Sequence, residues 1–272
     1  MARRWLITGC SSGLGRALAA AAAQSGDLVV ASARRPADVE DLARSYPDQV
    51  TTVPLDVCDP AQCEAAVAYT VGCLGGVDVL VNNAATGLLG TVEEVSDEEL
   101  RVQLDLLVVA PWRLARLVLP SMRRQGAGHI VNVSSLAGRM AFPGLSAYVA
   151  GKYALEGMSQ ALAVEAAGFG VRVTVVEPSQ FATRYGAALT EAAVRIPAYA
   201  EVTRPMREGM RGMEDNPDLG RPETFASHVL RLVASADTPT RVPVGEDAYA
   251  FLEAAEKAAQ RELQAARAFV LR

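Results

Sequence analysis

The strongest constraint in this chain is an alternation. Seven short runs rich in Val, Ile and Leu are separated by longer stretches, most of them rich in Ala: "RRWLITG" (3–9), "DLVVASA" (27–33), "QVTTVPLD" (49–56), "VDVLVNN" (77–83), "HIVNVSS" (129–135), "VRVTVVEP" (171–178) and "RVPVG" (241–245). Such runs are near-continuously apolar, as strands covered on both faces must be. The stretches 14–25, 38–45, 60–74, 97–125 and 147–168 carry helical spacing, and Ser96 with Glu99 forms a capping box for the fourth. Strands that alternate with helices in this way predict an α/β fold. Its core is a doubly wound parallel sheet, with ligands at the carboxyl ends of the strands.

At 272 residues the chain suits a single domain spanning 1–272, and neither a linker nor an internal repeat divides it. The section 179–221 breaks the pattern, with Pro197, Pro205 and Pro217 among several Met and Arg residues. It reads as a substrate-covering insertion. Within it, residues 184–220 form the lid, where Ile196, Tyr199, Met206, Met210 and Met213 offer an adaptable surface for a bulky, largely apolar small molecule. Residues 246–272 read as a terminal amphipathic helix.

A net charge of −5 and the lack of any Lys/Arg stripe argue against a nucleic-acid partner. No stretch approaches the ~20 apolar residues of a membrane span, and the apolar run before Gly9 is too short for a signal peptide. The four cysteines have neither Cys-x-x-Cys spacing nor neighbouring histidines, so no metal site is expected and a reduced, cytoplasmic setting is. With two histidines in the chain, a histidine-based triad has little material.

Two loops need their residue types. "TGCSSGLG" (8–15) joins the first strand to the first helix. Gly9, Gly13 and Gly15 remove side chains where a pyrophosphate could approach the backbone, and the amides of the helix that follows, from Ser11, Ser12 and Leu14 onward, face that anion. The second strand then ends in Arg34 and Arg35, where an NAD-binding chain would place a carboxylate. Guanidinium groups there suit a 2′-phosphate, so the expected cofactor is NADP(H).

Tyr148 and Lys152 lie four residues apart on a helical stretch and share a face, thirteen residues beyond Ser135. By themselves they fit either a surface helix or a cation that makes a phenol more acidic.

In sequence order, "TGCSSGLG", "LDV" (55–57), "NNA" (82–84), Ser135, "YVAGK" (148–152) and "EPS" (177–179) together resemble the short-chain dehydrogenase/reductase family over roughly residues 3–184. "TGCSSGLG" and "KYALEGMSQALAVE" look most like its hydroxysteroid and retinol dehydrogenase branch. The resemblance implies a Rossmann-type oxidoreductase that transfers a hydride between NADP(H) and a carbonyl or secondary alcohol. Tyr148 would give or take the proton, Lys152 would lower its pKa and bind the nicotinamide ribose, and Ser135 would hold the substrate oxygen. Ser134, one residue off, would face away. Asp56 and Val57 would sit at the adenine, Asn83, Ala84 and Ala85 by the adenosine ribose, and Pro178 and Thr183 by the nicotinamide, while Asn82 would stabilise the sheet. Helices 97–125 and 147–168, apolar over more than one face, would pair in a homodimer or homotetramer.

Three positions depart from the family pattern: Ala85 and Ser179 replace glycines, and Leu107 replaces the asparagine that supports a proton path. Pro111, four residues on, cannot donate to the Leu107 carbonyl, which is expected to stay free for a water-borne relay. Leu107 also keeps open an NADPH-binding enzyme of non-redox chemistry (a cyclase or dehydratase), while a non-catalytic nucleotide-binding regulator is disfavoured by the presence of Ser135, Tyr148 and Lys152 together.

Overall fold

The computed structural model describes residues 2–270. Its strands are β1 (Arg4–Ile7), β2 (Leu28–Ala33), β3 (Val50–Pro54), β4 (Val79–Asn82), β5 (Leu88–Leu89), β6 (Gly128–Val133), β7 (Val171–Pro178), β8 (Thr190–Glu191) and β9 (Arg241–Val244). Seven of them form one sheet in the order β3-β2-β1-β4-β6-β7-β9, and every pairing is parallel. The seventh apolar run is therefore an edge strand, paired with β7 through Val176–Val242 and Pro178–Val244. From β1 the chain first winds outward through β2 and β3, then returns to lay β4 on the other side of β1. The carboxyl ends of β1 and β4 thus flank the point where the winding reverses, the crevice in which such sheets bind ligands.

Period-two alternation splits each strand between two apolar layers. Trp5 and Ile7 face α1 (Gly13–Gln24), α2 (Glu40–Ser45) and α9 (Pro222–Ala234). Leu6, Leu80 and Ile130 face α3 (Pro60–Leu74), α5 (Ala110–Gln125) and α6 (Ser146–Ala167). Local chemistry sets the helix ends. Asp59 caps α3 by accepting from the Ala61 and Gln62 amides, and the expected capping box of Ser96 and Glu99 opens α4 (Asp97–Leu104).

The stretch 97–125 is not one α-helix. A π-helical turn, Asp105–Val109, separates α4 from α5. Pro111 explains it: without an N–H it cannot close the α-helical bond to Leu107, and the turn widens so that the Ala110 N–H reaches the Asp105 carbonyl.

The insertion is stitched to the body at several points. Ala182 N–H donates to the Gly220 carbonyl at 2.8 Å, joining the two ends of the insertion. Between these ends lie α7 (Tyr185–Ala188), β8 and α8 (Ala200–Met210). β8 pairs with β5 through Leu88–Thr190, and the buried Glu94 accepts the Ile196 amide at 2.9 Å. The terminal helix α10 (Ala248–Val270) buries Ala248 and Leu252 and is otherwise largely exposed; residues 271–272 of the expected helix lie outside the described ones.

Phe225 on α9 is fully buried and packs edge-on against Phe181, the first residue of the lid's base, with ring centroids 5.9 Å apart. Phe225→Ala should lower the unfolding free energy by about 3–5 kcal/mol, read as a lower urea midpoint. A change below about 1 kcal/mol would mean that the pair does not anchor the lid.

Candidate active site

The glycine-rich turn forms a cradle between β1, α1 and the end of β4. A Cβ on Gly15 would lie 2.3 Å from Asn83 Nδ2 and 2.6 Å from the Gly9 carbonyl, and one on Gly9 would lie 2.8 Å from Ala84 Cα. Ser12 is the N-cap of α1 in extended conformation, its hydroxyl makes no capping bond, and the first turn has no acidic residue. Uncapped first-turn amides above a glycine cradle are the donor set that a pyrophosphate requires, so the residues fit a dinucleotide.

Thr8 holds the cradle shut, and sequence reasoning missed it. Its Oγ1 accepts the N–H groups of Asn83 and Ala84, each at 3.0 Å, and donates to the Val81 carbonyl at 3.2 Å. The Asn83 side chain donates to the Thr8 carbonyl at 2.8 Å and the Gly9 carbonyl at 3.2 Å. Asn83 thus braces the turn with its own amide, a task distinct from the ribose contact expected of it. Ala84 and Ala85 follow at the surface of the crevice. Asn82 bonds Asn132 Oδ1 at 2.8 Å inside the sheet, the structural place expected for it.

At the end of β2 both arginines are exposed. Arg35 Nε is held by Asp38 at 3.1 Å, and Asp38 in turn gives its carbonyl to Arg16. A carboxylate therefore stands near the strand tip after all, engaged by Arg35. Arg34 has no ion-pair partner among the described residues. Asp56 accepts from the Cys58 amide at 3.0 Å and Val57 is buried beside it. On the far side of the cradle Thr183 approaches the turn: a Cβ on Gly13 would touch its Cγ2 at 3.3 Å. Pro178 ends β7, and the buried Ser179 hydroxyl that replaces the usual glycine packs against Gly245 and has no partner among the described residues.

Ser135, Tyr148 and Lys152 come together at the end of β6. Ser135 leaves the strand and caps a single 3-10 turn, its Oγ accepting the Ala137 N–H at 3.2 Å. The Ser134 side chain is buried on the other side, against Gly138 and Glu156, as the strand alternation requires. Tyr148 and Lys152 both project from α6 and are buried. Lys152 Nζ donates to the Val133 carbonyl at 2.7 Å and lies 5.6 Å from the Tyr148 ring centre. Burial pushes the lysine down to about 8, with the Glu156 carboxylate opposing. Burial also raises Tyr148, and the neighbouring hydroxyls of Tyr185 and Ser135 oppose it. The expected lowering of the phenol by Lys152 is not what this state displays: the ammonium is turned to a backbone carbonyl, and burial dominates at the phenol.

Leu107 is buried against α6, where a Cβ on Gly151 would meet its Cδ1 at 2.8 Å. Its side chain supplies packing where an asparagine would supply hydrogen bonds. Behind Lys152, two more acids are buried. Glu156 pairs with Arg241 at 3.2 Å and Glu177 with Arg139 at 3.5 Å, and burial raises both carboxyls.

The short chain dehydrogenase profile matches residues 3–193, and the chain belongs to that family. An oxidoreductase of Botryotinia fuckeliana, BOA17, is 35% identical over 96% of this chain and 94% of its own. A short-chain dehydrogenase structure from Streptomyces avermitilis aligns with a TM-score of 0.92 at 40% identity, covering 99% of this chain and 97% of that one. Two more distant structures carry a nicotinamide cofactor. One from Burkholderia phymatum, with NAD, has a TM-score of 0.83 at 24% identity over 97% and 95% of the two chains. A metagenomic short-chain oxidoreductase with NADP has a TM-score of 0.71 at 25% identity over 90% and 97%. The chain is thus an oxidoreductase of the short-chain dehydrogenase/reductase family. Among the described residues no helix is long and apolar enough to cross a membrane.

Thr8→Val preserves shape and removes the acceptor of two amides. It should cost about 1–3 kcal/mol of stability and weaken dinucleotide binding, checked by urea unfolding and fluorescence titration. Unchanged values in both would show that the hydroxyl does not hold the cradle.

Proposed function

We propose that the protein is an NADP(H)-dependent oxidoreductase acting on the carbonyl or secondary alcohol of a bulky, largely apolar substrate. The observation that carries this reading is the convergence of Ser135, Tyr148 and Lys152 at the carboxyl end of the sheet, beside the glycine cradle. The bound cofactor supplies or accepts the hydride. The chain manages the proton: the Tyr148 hydroxyl gives it to the carbonyl oxygen, Ser135 steadies that oxygen, and the Lys152 ammonium stabilises the phenolate left behind. In the oxidising direction Tyr148 takes the proton back.

Tyr148→Phe should bind cofactor as the wild type does and lose nearly all turnover. The pH profile follows from the lysine. Lys152 must be charged to stabilise phenolate, and its charge is lost as pH rises through about 8. Carbonyl reduction by the wild type should therefore decline above that pH. A Tyr148→Phe variant that keeps most of its activity would overturn this assignment.

The NADP(H) preference rests on Arg34, exposed at the tip of β2 with its guanidinium unpaired among the described residues. Loss of one charge-assisted contact to a 2′-phosphate should weaken NADPH binding about tenfold or more. Arg34→Glu should therefore remove the preference for NADPH over NADH in kcat/KM. Equal kcat/KM for the two cofactors in the wild type would refute it.

The substrate class follows from the lid. Met206, Met210, Leu189 and Phe142 pack with Tyr148 and Leu145 in one apolar cluster. Beside it, Phe142, Pro143, Tyr199 and Val202 line a cavity of about 590 Å³ that accommodates an apolar tail. We also infer a cytoplasmic homodimer or homotetramer. Val102, Trp112, Tyr153 and Val164 are exposed on α4, α5 and α6, the helices that would form its interface.

A further inference from the structure

We propose that Tyr185 determines substrate specificity, and that the natural substrate carries a second oxygen one or two carbons from its reacting carbonyl. This rests on the reductase reading above and names the substrate more closely.

Tyr185 opens α7 in the lid and lays its ring against that of Tyr148, centroids 5.9 Å apart and planes tilted by 55°. Its hydroxyl oxygen is buried close to the Tyr148 phenol, yet it makes no hydrogen bond of good geometry with any described residue. It abuts the backbone of Gly87, where an added Cβ would stand 2.6 Å from it. Its ring packs against the apolar cluster of Leu89, Leu107, Leu145 and Tyr148, as do Leu189, Met206 and Met210. The carbonyls of the adjoining Gly87 and of Ala188 in the same helix are already engaged. The Gly87 carbonyl takes the Thr190 N–H at 3.0 Å, and the Ala188 carbonyl takes the Thr86 hydroxyl at 2.7 Å.

A phenol in such surroundings is costly unless something arrives to accept its proton, and phenylalanine would fill the same space without that cost. The Tyr148 hydroxyl is near enough to take that proton, but the reaction commits it to the reacting oxygen. The Tyr185 O–H is then left to donate to another acceptor on the substrate. Because the two phenols stand side by side, that acceptor lies close to the reacting carbonyl, as in a β-keto ester, a diketone or a hydroxyketone. The apolar remainder rests on the lid. A site with a buried donor discriminates strongly against analogues that lack the matching acceptor.

The test compares the wild type with Tyr185→Phe on two ketones of equal length, ethyl 3-oxodecanoate and 6-tridecanone. Tyr185→Phe should lose about tenfold or more in kcat/KM on the ester, chiefly through KM, and no more than about threefold on the plain ketone. Cofactor titration and melting temperature without substrate should be unchanged. Equal losses on both ketones, with or without a displaced pH profile, would mean that Tyr185 acts through Tyr148 or the lid packing, and would overturn the proposal; so would no loss on either. Binding is read in parallel: with oxidised cofactor present, the ester should raise the melting temperature of the wild type more than that of Tyr185→Phe. A wild type that shows this difference and transfers no hydride would overturn the reductase reading and keep the role of Tyr185. One that shows neither overturns both.

Discussion

The site depends first on how the ends of β1 and β4 are joined. Two parallel strands that lead into different loops have no ladder bonds beyond their last pair, so the crevice between them would splay. One hydroxyl prevents it. Thr8 Oγ1 accepts two consecutive amides from the β4 loop while donating to Val81, and Asn83 returns the contact to the β1 turn. With both loops fixed, the missing side chains at Gly9 and Gly15 become a cavity of definite shape, and the uncapped start of α1 points into it. The anion site is thus made of backbone, and side chains hold that backbone in place.

Helix α6 carries the reacting groups, and its own placement depends on close approach. Gly151 lets Leu107 press against it one residue before Lys152, and the π turn across 105–109 brings that leucine to the contact. Pro111 accounts for both facts, because it prevents a regular α-helix where the chain crosses α6. Lys152 is buried and anchored on Val133, so its charge sits in a medium that weakens it and sharpens its effect on a neighbour.

The buried acids behind α6 show the same compromise. Glu156 and Glu177 are almost wholly removed from water, and Arg139 and Arg241 reach in from partly exposed positions to offset their charge. Arg139 also reaches Glu256 on α10, which ties the terminal helix to the floor of the site. The lid closes the other side. Ordered by its pairing to β5 and by Glu94, it presents apolar groups and the Tyr185 phenol to Tyr148.

Much of this was legible in sequence because it is local. The periodicity of apolar runs determined which segments became strands and helices. Short-range chemistry set the ends: Ser96 with Glu99, and the glycines of 9–15. The four-residue spacing of Tyr148 and Lys152 placed both on one helical face, and strand alternation chose Ser135 over Ser134. What depended on distant segments was decided only by the tertiary structure. The ties made by Thr8, the Asp38 that engages Arg35, the π turn in 97–125 and the arrival of Tyr185 beside Tyr148 all join groups by contact across loops or helices. A pattern records which face a residue occupies; what it meets there is settled by packing, and so the hydroxyls and charges that tune the site could not be read from spacing alone.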